Sequence, residues 1–245
     1  MLATQWNQVI MSEVRKIMGE PFFWLMLVAP LLLGWGLRYI LPSLAADFQN
    51  FDLTYYYPMI VALFILTPPL YYGVILALLV LEEKDENVLL AVAVTPIRLR
   101  TYLTARVAVF MLISLPLIIL VHELIDVVEI DPLKLVLIAL VASLNTPLIV
   151  VLLAAFANNQ LEGFVIGKGM GFIILLPLVM FFVPDYWHVL CGILPTYWPI
   201  IAYYTAVGET GSELFFYLAI VMAIITQLLA IRILYQRFAN GLVTA

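Results

Sequence analysis

Long apolar runs with few charges decide what this chain can fold into. Six of them recur along the sequence; five are near the ~20 residues that an α-helix needs to cross a bilayer, and the fifth in order is shorter. A transmembrane β-barrel would instead show segments of about ten residues with alternating polarity. Because 65% of the residues are hydrophobic and 11% are charged, too little polar surface remains to cover a water-soluble globule. The sequence therefore predicts an all-α integral membrane protein.

Six predicted spans and their flanks divide the chain into two parts. The spans cover Phe22 to Leu41, Pro58 to Leu81, Ala105 to Val121, Leu133 to Phe156, Gly169 to Val183 and Leu214 to Tyr235. Residues 1–21 predict an amphipathic helix on the membrane surface, because apolar side chains recur there at helical spacing opposite polar ones. Residues 22–240 form the predicted six-helix transmembrane domain. Within it, the aromatic segment Pro184 to Gly211 is interrupted by Pro195 and Pro199, which predicts an extracellular re-entrant or interfacial hairpin with aromatic rings at headgroup level.

Basic residues predict the orientation in the membrane. With the amino terminus inside, nine of the eleven lysines and arginines fall on the cytosolic side, and only Arg38 and Lys134 fall outside. The positive-inside rule therefore predicts a multi-pass protein of the plasma membrane with both termini in the cytosol. The predicted external segments hold nine of the sixteen acidic residues, which is typical of a solvated outer face.

The most charged stretch, residues 82–104, lies between the second and third spans. In order it contains Glu82, Glu83 and Glu86, the apolar run Val88 to Val94, the pair Thr95-Pro96, and then Arg98 and Arg100. Such charges cannot lie in lipid, so the segment predicts a cytosolic loop with a short surface helix that ends before the proline. We expect this loop to dock a partner, since arginines bind carboxylates through forked hydrogen bonds. Headgroup anchoring is the alternative role, and it suits Arg106 better than Arg98.

Enzyme-like strings in the chain fail on their spacing. Residues 163–169 imitate a phosphate-binding loop but lack its four residues between glycines and its hydroxyl residue after the lysine. His122-Glu123 resembles the start of a zinc site, but Asp126 stands in place of the second histidine, and a lone histidine at the membrane edge is the better interpretation. We therefore expect a chain that is not an enzyme and that binds no metal, cofactor or nucleic acid.

The charged loop and its setting resemble the permease subunit of ATP-binding-cassette type-2 (ABC-2) exporters. In that family, acidic residues, a small apolar helix, a Thr-Pro turn and basic residues follow the second span. The likeness extends to the amphipathic amino-terminal helix, the six spans and the string Leu194-Pro195-Thr196-Tyr197-Trp198 before the last span. The chain departs from the family pattern at Glu86-Asn87, where a glycine-threonine pair is usual. Its size and short outer loops are similar to the fluoroquinolone-export-like branch, and polysaccharide-export relatives are the second option.

The resemblance implies a mechanism and partners. A separate cytosolic ATPase, which would hold ATP and Mg²⁺, would bind the loop and drive export of a lipophilic or amphipathic substrate. The implied contact residues are Glu82, Glu83, Glu86, Thr95, Pro96, Arg98 and Arg100. Six spans are too few to enclose a wide pathway, so we expect a second permease copy or a related permease, with the route at the interface of this dimer.

Polar or proline residues at membrane depth are the candidates for the substrate pathway. They are Thr67, Pro68 and Pro69 in the second span, Asn145 and Thr146 in the fourth, and Phe172 in the fifth. Asn and Thr within spans more often bond to a neighbouring helix than to a ligand. Two other classes remain open: an ion-coupled secondary transporter, which normally needs buried ionisable groups, and a non-transporting assembly or anchor protein.

Overall fold

A computed structural model describes most of the protein. It describes residues 19, 21–47, 52–89, 99–175, 191–208 and 212–244, without the side chains of 99–100, 170–175 and 239–244. Every regular element in these ranges is helical, which confirms an all-α fold for this part of the chain. The predicted surface helix at residues 1–21 falls outside them, apart from Gly19 and Pro21.

The described residues form nine α-helices, numbered here in chain order. They are α1 (Pro21–Asp47), α2 (Tyr57–Phe64), α3 (Thr67–Asp85), α4 (Leu99–Ile125), α5 (Pro132–Ser143), α6 (Asn145–Phe156), α7 (Gln160–Leu175), α8 (Tyr197–Ala206) and α9 (Glu213–Thr244), with a 3₁₀ turn at Leu53–Tyr56. Five stretches in these ranges are long and apolar enough to cross a membrane: Pro21–Asp47, Leu53–Asp85, Thr101–Ile125, Pro132–Phe156 and Glu213–Phe238. These five correspond to predicted spans one to four and six.

The fifth predicted span, Gly169 to Val183, lies mostly outside the described residues. Its described part belongs to α7, which begins well before Gly169, at Gln160. The helix begins before the predicted span because Asn159 and Glu162 cap it there: the Glu162 N–H donates to Asn159 Oδ1 over 2.9 Å. Asn followed three residues later by Glu is a sequence signature of a helix start, so this signal was present in the sequence.

Prolines break two of the spans into pairs of helices. Between α2 and α3 the helix is interrupted at Ile65 and Leu66, just before Pro68-Pro69. A proline has no N–H, so the carbonyl one turn earlier loses its partner. The Thr67 hydroxyl donates to the Phe64 carbonyl over 2.6 Å and so replaces that bond. A second break, at Leu144 between α5 and α6, precedes Pro147 in the same way.

The two broken spans form the centre of the molecule. Helices α3 and α6 pack so closely that a Cβ atom on Gly73 would lie 2.7 Å from Ile149 Cβ and 2.9 Å from the Thr146 carbonyl oxygen. Only a glycine fits such a crossing. Around this centre, α1 and α9 expose large apolar side chains such as Trp35 and Leu218, as expected of helices that face lipid or another membrane subunit.

The described part of the predicted outer hairpin contains one short helix. Residues Tyr197–Ala206 form the ten-residue helix α8, which is about 15 Å long and too short to cross a bilayer. Its Tyr197, Tyr203 and Tyr204 are buried, and α8 packs against α2, α5 and α9. Whether this segment is re-entrant or interfacial stays a prediction. Residues 184–190 and 209–211 of the hairpin fall outside the described residues.

Candidate functional site

Two buried charges face each other where the predicted cytosolic loop at residues 82–104 joins the helix bundle. Glu83, in the last turn of α3, and Arg106, two turns into α4, are each 1% exposed. The Arg106 guanidinium donates to Glu83 Oε2 over 2.5 Å. It also donates to the Tyr102 hydroxyl over 3.2 Å, and the Tyr102 hydroxyl lies 3.4 Å from Glu83 Oε1. This ion pair joins the helix before the loop to the helix after it.

The geometry revises the interpretation of both charges. Headgroup anchoring was expected to suit Arg106, and the structure contradicts it because the side chain is buried against a carboxylate. An arginine that far inside a membrane helix needs a partner to offset the loss of water. Glu83, expected to contact a partner protein, is instead turned into the bundle. The separation of 23 residues between the two explains why sequence spacing did not reveal the pair.

A second junction ties the end of α3 to the start of α7. The Asp85 carboxylate accepts a hydrogen bond from the Gln160 N–H over 2.8 Å, and a carboxylate at a helix amino terminus is favourable. Beside it, Glu162 accepts hydrogen bonds from the backbone N–H and side-chain amide of Asn158 at 2.8 and 3.0 Å. These bonds, the backbone one first, hold the pKa of Glu162 below its usual value.

The other predicted contact residues are only partly described. Glu82 is half-buried and Glu86 is exposed at the end of α3. Arg100 lies in the first turn of α4, where only its backbone is described. Thr95, Pro96 and Arg98 lie outside the described residues. The structure therefore places Glu86 where a partner could reach it, while direct contact by the others stays a prediction.

Asn87 turns the chain out of α3 into the loop. Its φ of 61° lies in the left-handed region, which asparagine adopts more readily than most other residues with a side chain. The Glu86 N–H still donates to the Glu82 carbonyl, over 2.9 Å, so the helix closes normally. The departure from the glycine-threonine pattern at this point is thus compatible with a sharp helix end.

The predicted pathway residues lie in the interior of the bundle. Asn145 and Thr146 are 0% exposed. The Thr146 hydroxyl donates to Ser114 Oγ of α4 over 3.2 Å, and Asn145 Nδ2 donates to the Ala142 carbonyl over 2.9 Å. Pro68 and Pro69 are buried and Thr67 is half-buried. The side chain of Phe172 is not among those described.

At the opposite end of the bundle, the two basic residues predicted to lie outside each have an acidic neighbour. Arg38 pairs with Asp126 at 2.8 Å, and Lys134 pairs with Glu213 at 3.7 Å. His122, expected at a membrane edge, is buried, and its Nε2 lies 3.1 Å from the Tyr203 hydroxyl. Among the described residues no group of His, Cys, Asp or Glu could hold a metal ion.

One known family matches nearly the whole length of this chain. The family described as fluoroquinolones export permease protein Rv2686c-like matches residues 13–235, a range that includes the ion pair and the whole charged loop at residues 82–104. The chain belongs to this fluoroquinolone export permease family. Its recognition as an ABC-2 permease of the drug-export branch is thereby confirmed.

Two curated relatives of this permease come from Mycobacterium tuberculosis. They are fluoroquinolones export permease protein MT2760 of strain CDC 1551 / Oshkosh and fluoroquinolones export permease protein Rv2686c of strain ATCC 25618 / H37Rv. Each is 28% identical over 201 residues, which cover 80% of this chain and 80% of the relative. No solved structure matches this permease.

Proposed function

We propose that this chain is the membrane-spanning subunit of an ATP-driven exporter that moves amphipathic drugs of the fluoroquinolone type. A separate cytosolic ATPase, carrying ATP and Mg²⁺, binds the loop at residues 82–104. The names of the relatives support the substrate class. The ion pair between Glu83 and Arg106 supports the coupling role more directly than any other feature.

The ion pair makes the ends of the loop move together. Because Glu83 and Arg106 are buried and paired, a displacement of the loop shifts the end of α3 and the start of α4 as one body. The hydrogen bond from Gln160 to Asp85 extends this body to α7. A partner that pushes on the loop therefore acts on three helices at once. Rigid-body movement of packed helices is a common form of switching transition.

Hinges for that movement lie at the proline breaks. The carboxyl-terminal part of the second span can tilt at Ile65 and Leu66, and the fourth span can bend at Leu144. Pro68-Pro69 and Pro147 weaken the helix at these points. We assign Thr67, Asn145 and Thr146 to support of these hinges, since their side chains bond to nearby carbonyls or to Ser114.

The proposed assembly contains two permease copies, with the export route between them, in the plasma membrane. Six crossings per copy are supported by the positions of the helix ends. The pair of Lys134 with Glu213 places the start of α9 beside the start of α5, whereas Asn158 lies at the far end of α6. The chain between Asn158 and Glu213 must therefore return to the side where α5 begins. The fifth predicted span, Gly169 to Val183, accomplishes this, gives six crossings in total and leaves both termini in the cytosol.

Copurification with the candidate ATPase tests the proposal. Glu86→Lys places a reversed charge on the exposed loop, and Arg98→Glu reverses a predicted contact. We expect both variants to lose ATPase association and stimulated ATP hydrolysis while they elute as the folded protein does. Glu129→Lys, exposed at the opposite end of the bundle, is the matched control and keeps both. Association of the two loop variants at the wild-type level would refute the docking role. If the wild-type permease binds the ATPase but the complex transports no drug, the chain is an anchor protein instead.

Burial of Glu83 favours one competing function, ion-coupled transport. A buried carboxylate is a feature of proton relays in secondary transporters. Here Arg106 lies 2.5 Å from Glu83 Oε2, so the carboxylate already has a fixed counter-ion inside the bundle. Drug uptake into vesicles that contain this permease alone decides between the two. Transport driven by a pH gradient without an ATPase would establish the competing function, and no transport until the ATPase and ATP are added would support the exporter.

A further inference from the structure

A groove opens on the side of the bundle between α1, α3 and α7. Its volume is about 640 Å³, within the ~300–1,000 Å³ of sites for drug-sized molecules. Along α1 it runs from Phe22 to Leu33, a length of roughly 16 Å at the rise of an α-helix. Aromatic rings of Phe22, Tyr71 and Phe164 line it among aliphatic side chains. Thr67, Asn145 and Thr146, predicted for the substrate pathway, are not part of its lining.

One charge interrupts this apolar lining. Among the described residues that line the groove, Lys168 alone is charged. It lies eight residues beyond the start of α7 at Gln160, and its ammonium group lies 4.5 Å from the centre of the Phe164 ring. The Phe164 ring is in turn 5.5 Å from that of Phe22, at the beginning of α1. The ammonium therefore lies at the end of the groove where α1 and α7 begin.

Lys168 has no acidic partner in the described part of the chain. The ion pairs there involve other basic residues, and only the face of Phe164 meets the Lys168 charge. The Lys168 side chain is exposed, so its ammonium is accessible to a ligand in the groove. A carboxylate would bind this ammonium more strongly than the Phe164 ring does, because it forms charge-assisted hydrogen bonds with it.

We propose that the groove binds an aromatic carboxylate that reaches it from the membrane. The carboxylate pairs with Lys168, and the flat ring system packs against Phe22, Phe164 and Tyr71, since aromatic rings prefer stacked or edge-to-face neighbours. The aromatic lining favours such a ligand over a lipid acyl chain. This site rests on the proposed drug-export function. It makes the groove the binding site of the exported substrate, an amphiphile with one anionic group on an aromatic body.

Binding to the full-length permease alone, in nanodiscs of phosphatidylcholine, tests the site. The probes are norfloxacin, a fluorescent aromatic carboxylate, and its methyl ester, which lacks the anionic group. We expect Lys168→Gln to weaken norfloxacin binding roughly tenfold or more, as loss of a charge-assisted bond does, and to leave the ester unchanged. Lys168→Arg keeps the binding of norfloxacin. Ala29→Trp, which fills the groove, weakens both probes. Lys134→Gln, at the opposite end of the bundle, changes neither.

Several outcomes would overturn the assignment. Equal norfloxacin binding by Lys168→Gln and the wild type would remove the role of the lysine. Equal affinity of the acid and the ester for the wild type would remove the anionic part of the ligand class. Displacement of norfloxacin when phosphatidylglycerol replaces part of the phosphatidylcholine would assign the groove to anionic lipid. Because no ATPase is present, these results stand apart from the docking test. Lost docking with intact binding would refute only the exporter mechanism.

Discussion

The side chains of Glu83 and Arg106 show what a charge needs in order to lie inside a membrane protein. Each loses its water on burial, and their attraction compensates only when geometry is good and further hydrogen bonds are made. Both conditions hold, because Tyr102 bonds to the guanidinium and lies over it as an aromatic neighbour, 5.1 Å from ring centre to Arg106 Cζ. A pair of this kind is far more sensitive to the loss of one member than to the loss of both.

The first prediction follows from that asymmetry. We expect Glu83→Gln to lower the free energy of unfolding by about 3–5 kcal/mol, because it leaves Arg106 charged and buried without a counter-ion. The double variant Glu83→Leu with Arg106→Met removes both charges and recovers most of the loss. Equilibrium unfolding in mixed micelles of dodecyl sulfate measures both. Additive losses in the double variant would contradict a direct pair, and Glu86→Gln, exposed in the same region, is the control that changes little.

At the residue scale, the sequence predicted where charged residues lie along the chain better than it predicted what surrounds their side chains. The loop and its charges could be located from hydropathy, since acids and bases at that density are excluded from lipid. Whether Glu83 faces a partner or the bundle depends on how α3 meets α4, and those helices are joined by the loop itself. The predicted spans place Lys168 just outside a span, whereas Asn159 and Glu162 cap a helix that begins well before it. The capping moves the lysine two turns into α7.

Helix starts give the second prediction. The pKa of Glu162 is lowered by hydrogen bonds from Asn158, so the folded form binds its proton less readily than an unfolded chain does. Its contribution to the cap is therefore complete above the unfolded pKa and is lost as pH falls through the lowered folded pKa. We expect amide hydrogen exchange at the start of α7 to speed up at acidic pH, beyond its intrinsic dependence. Glu162→Gln removes this extra pH dependence, and its persistence in that variant would contradict the assignment.

At the element scale, prolines show where a helix can break, but neither which of them do break it nor which helices meet. The second and fourth spans break before Pro68-Pro69 and Pro147, whereas α1 continues through Pro30 and Pro42 and α4 through Pro116. The meeting of α3 with α6 depends instead on Gly73, where the backbone of one helix approaches the other. A single glycine in an apolar run does not show that another helix packs closely against it, because that contact depends on where the partner helix lies.

A glycine comparison provides the third prediction. We expect Gly73→Ala to destabilise the permease by about 1–3 kcal/mol, as overpacking of a tight core does, because the new methyl group meets the Thr146 carbonyl oxygen and Ile149 Cβ. Gly167→Ala is the matched control on α7. There the nearest atom, Val74 Cγ1, is 3.5 Å away, which is an ordinary contact distance. Thermal unfolding in detergent distinguishes the two, and equal stability of both variants would contradict the close crossing.

At the scale of the whole molecule, the two ends of the bundle differ in their chemistry. One end carries the ion pair, the loop and the capped start of α7. The other carries the pairs Arg38 with Asp126 and Lys134 with Glu213. Charge counts along the sequence predicted this division. They could not predict that α8 is drawn into the core, because its aromatic residues suit a membrane interface as well as an interior.

The fourth prediction tests orientation and the number of crossings together. Single cysteines are introduced into a Cys191→Ser background, which removes the native thiol, at Ser43, Asn87, Asn158 and Ser212, all exposed. We expect a membrane-impermeant maleimide to label Ser43→Cys and Ser212→Cys in intact cells, and the other two only after permeabilisation. Ser43 and Asn87 lie on opposite sides of the membrane because one span separates them, whatever the total number of crossings. Opposite sides for Asn158 and Ser212 require the sixth crossing that the Lys134 and Glu213 pair implies. Labelling of Asn158→Cys and Ser212→Cys from the same side would leave five crossings, place the carboxyl terminus outside, and separate the two ends of that ion pair by the whole membrane.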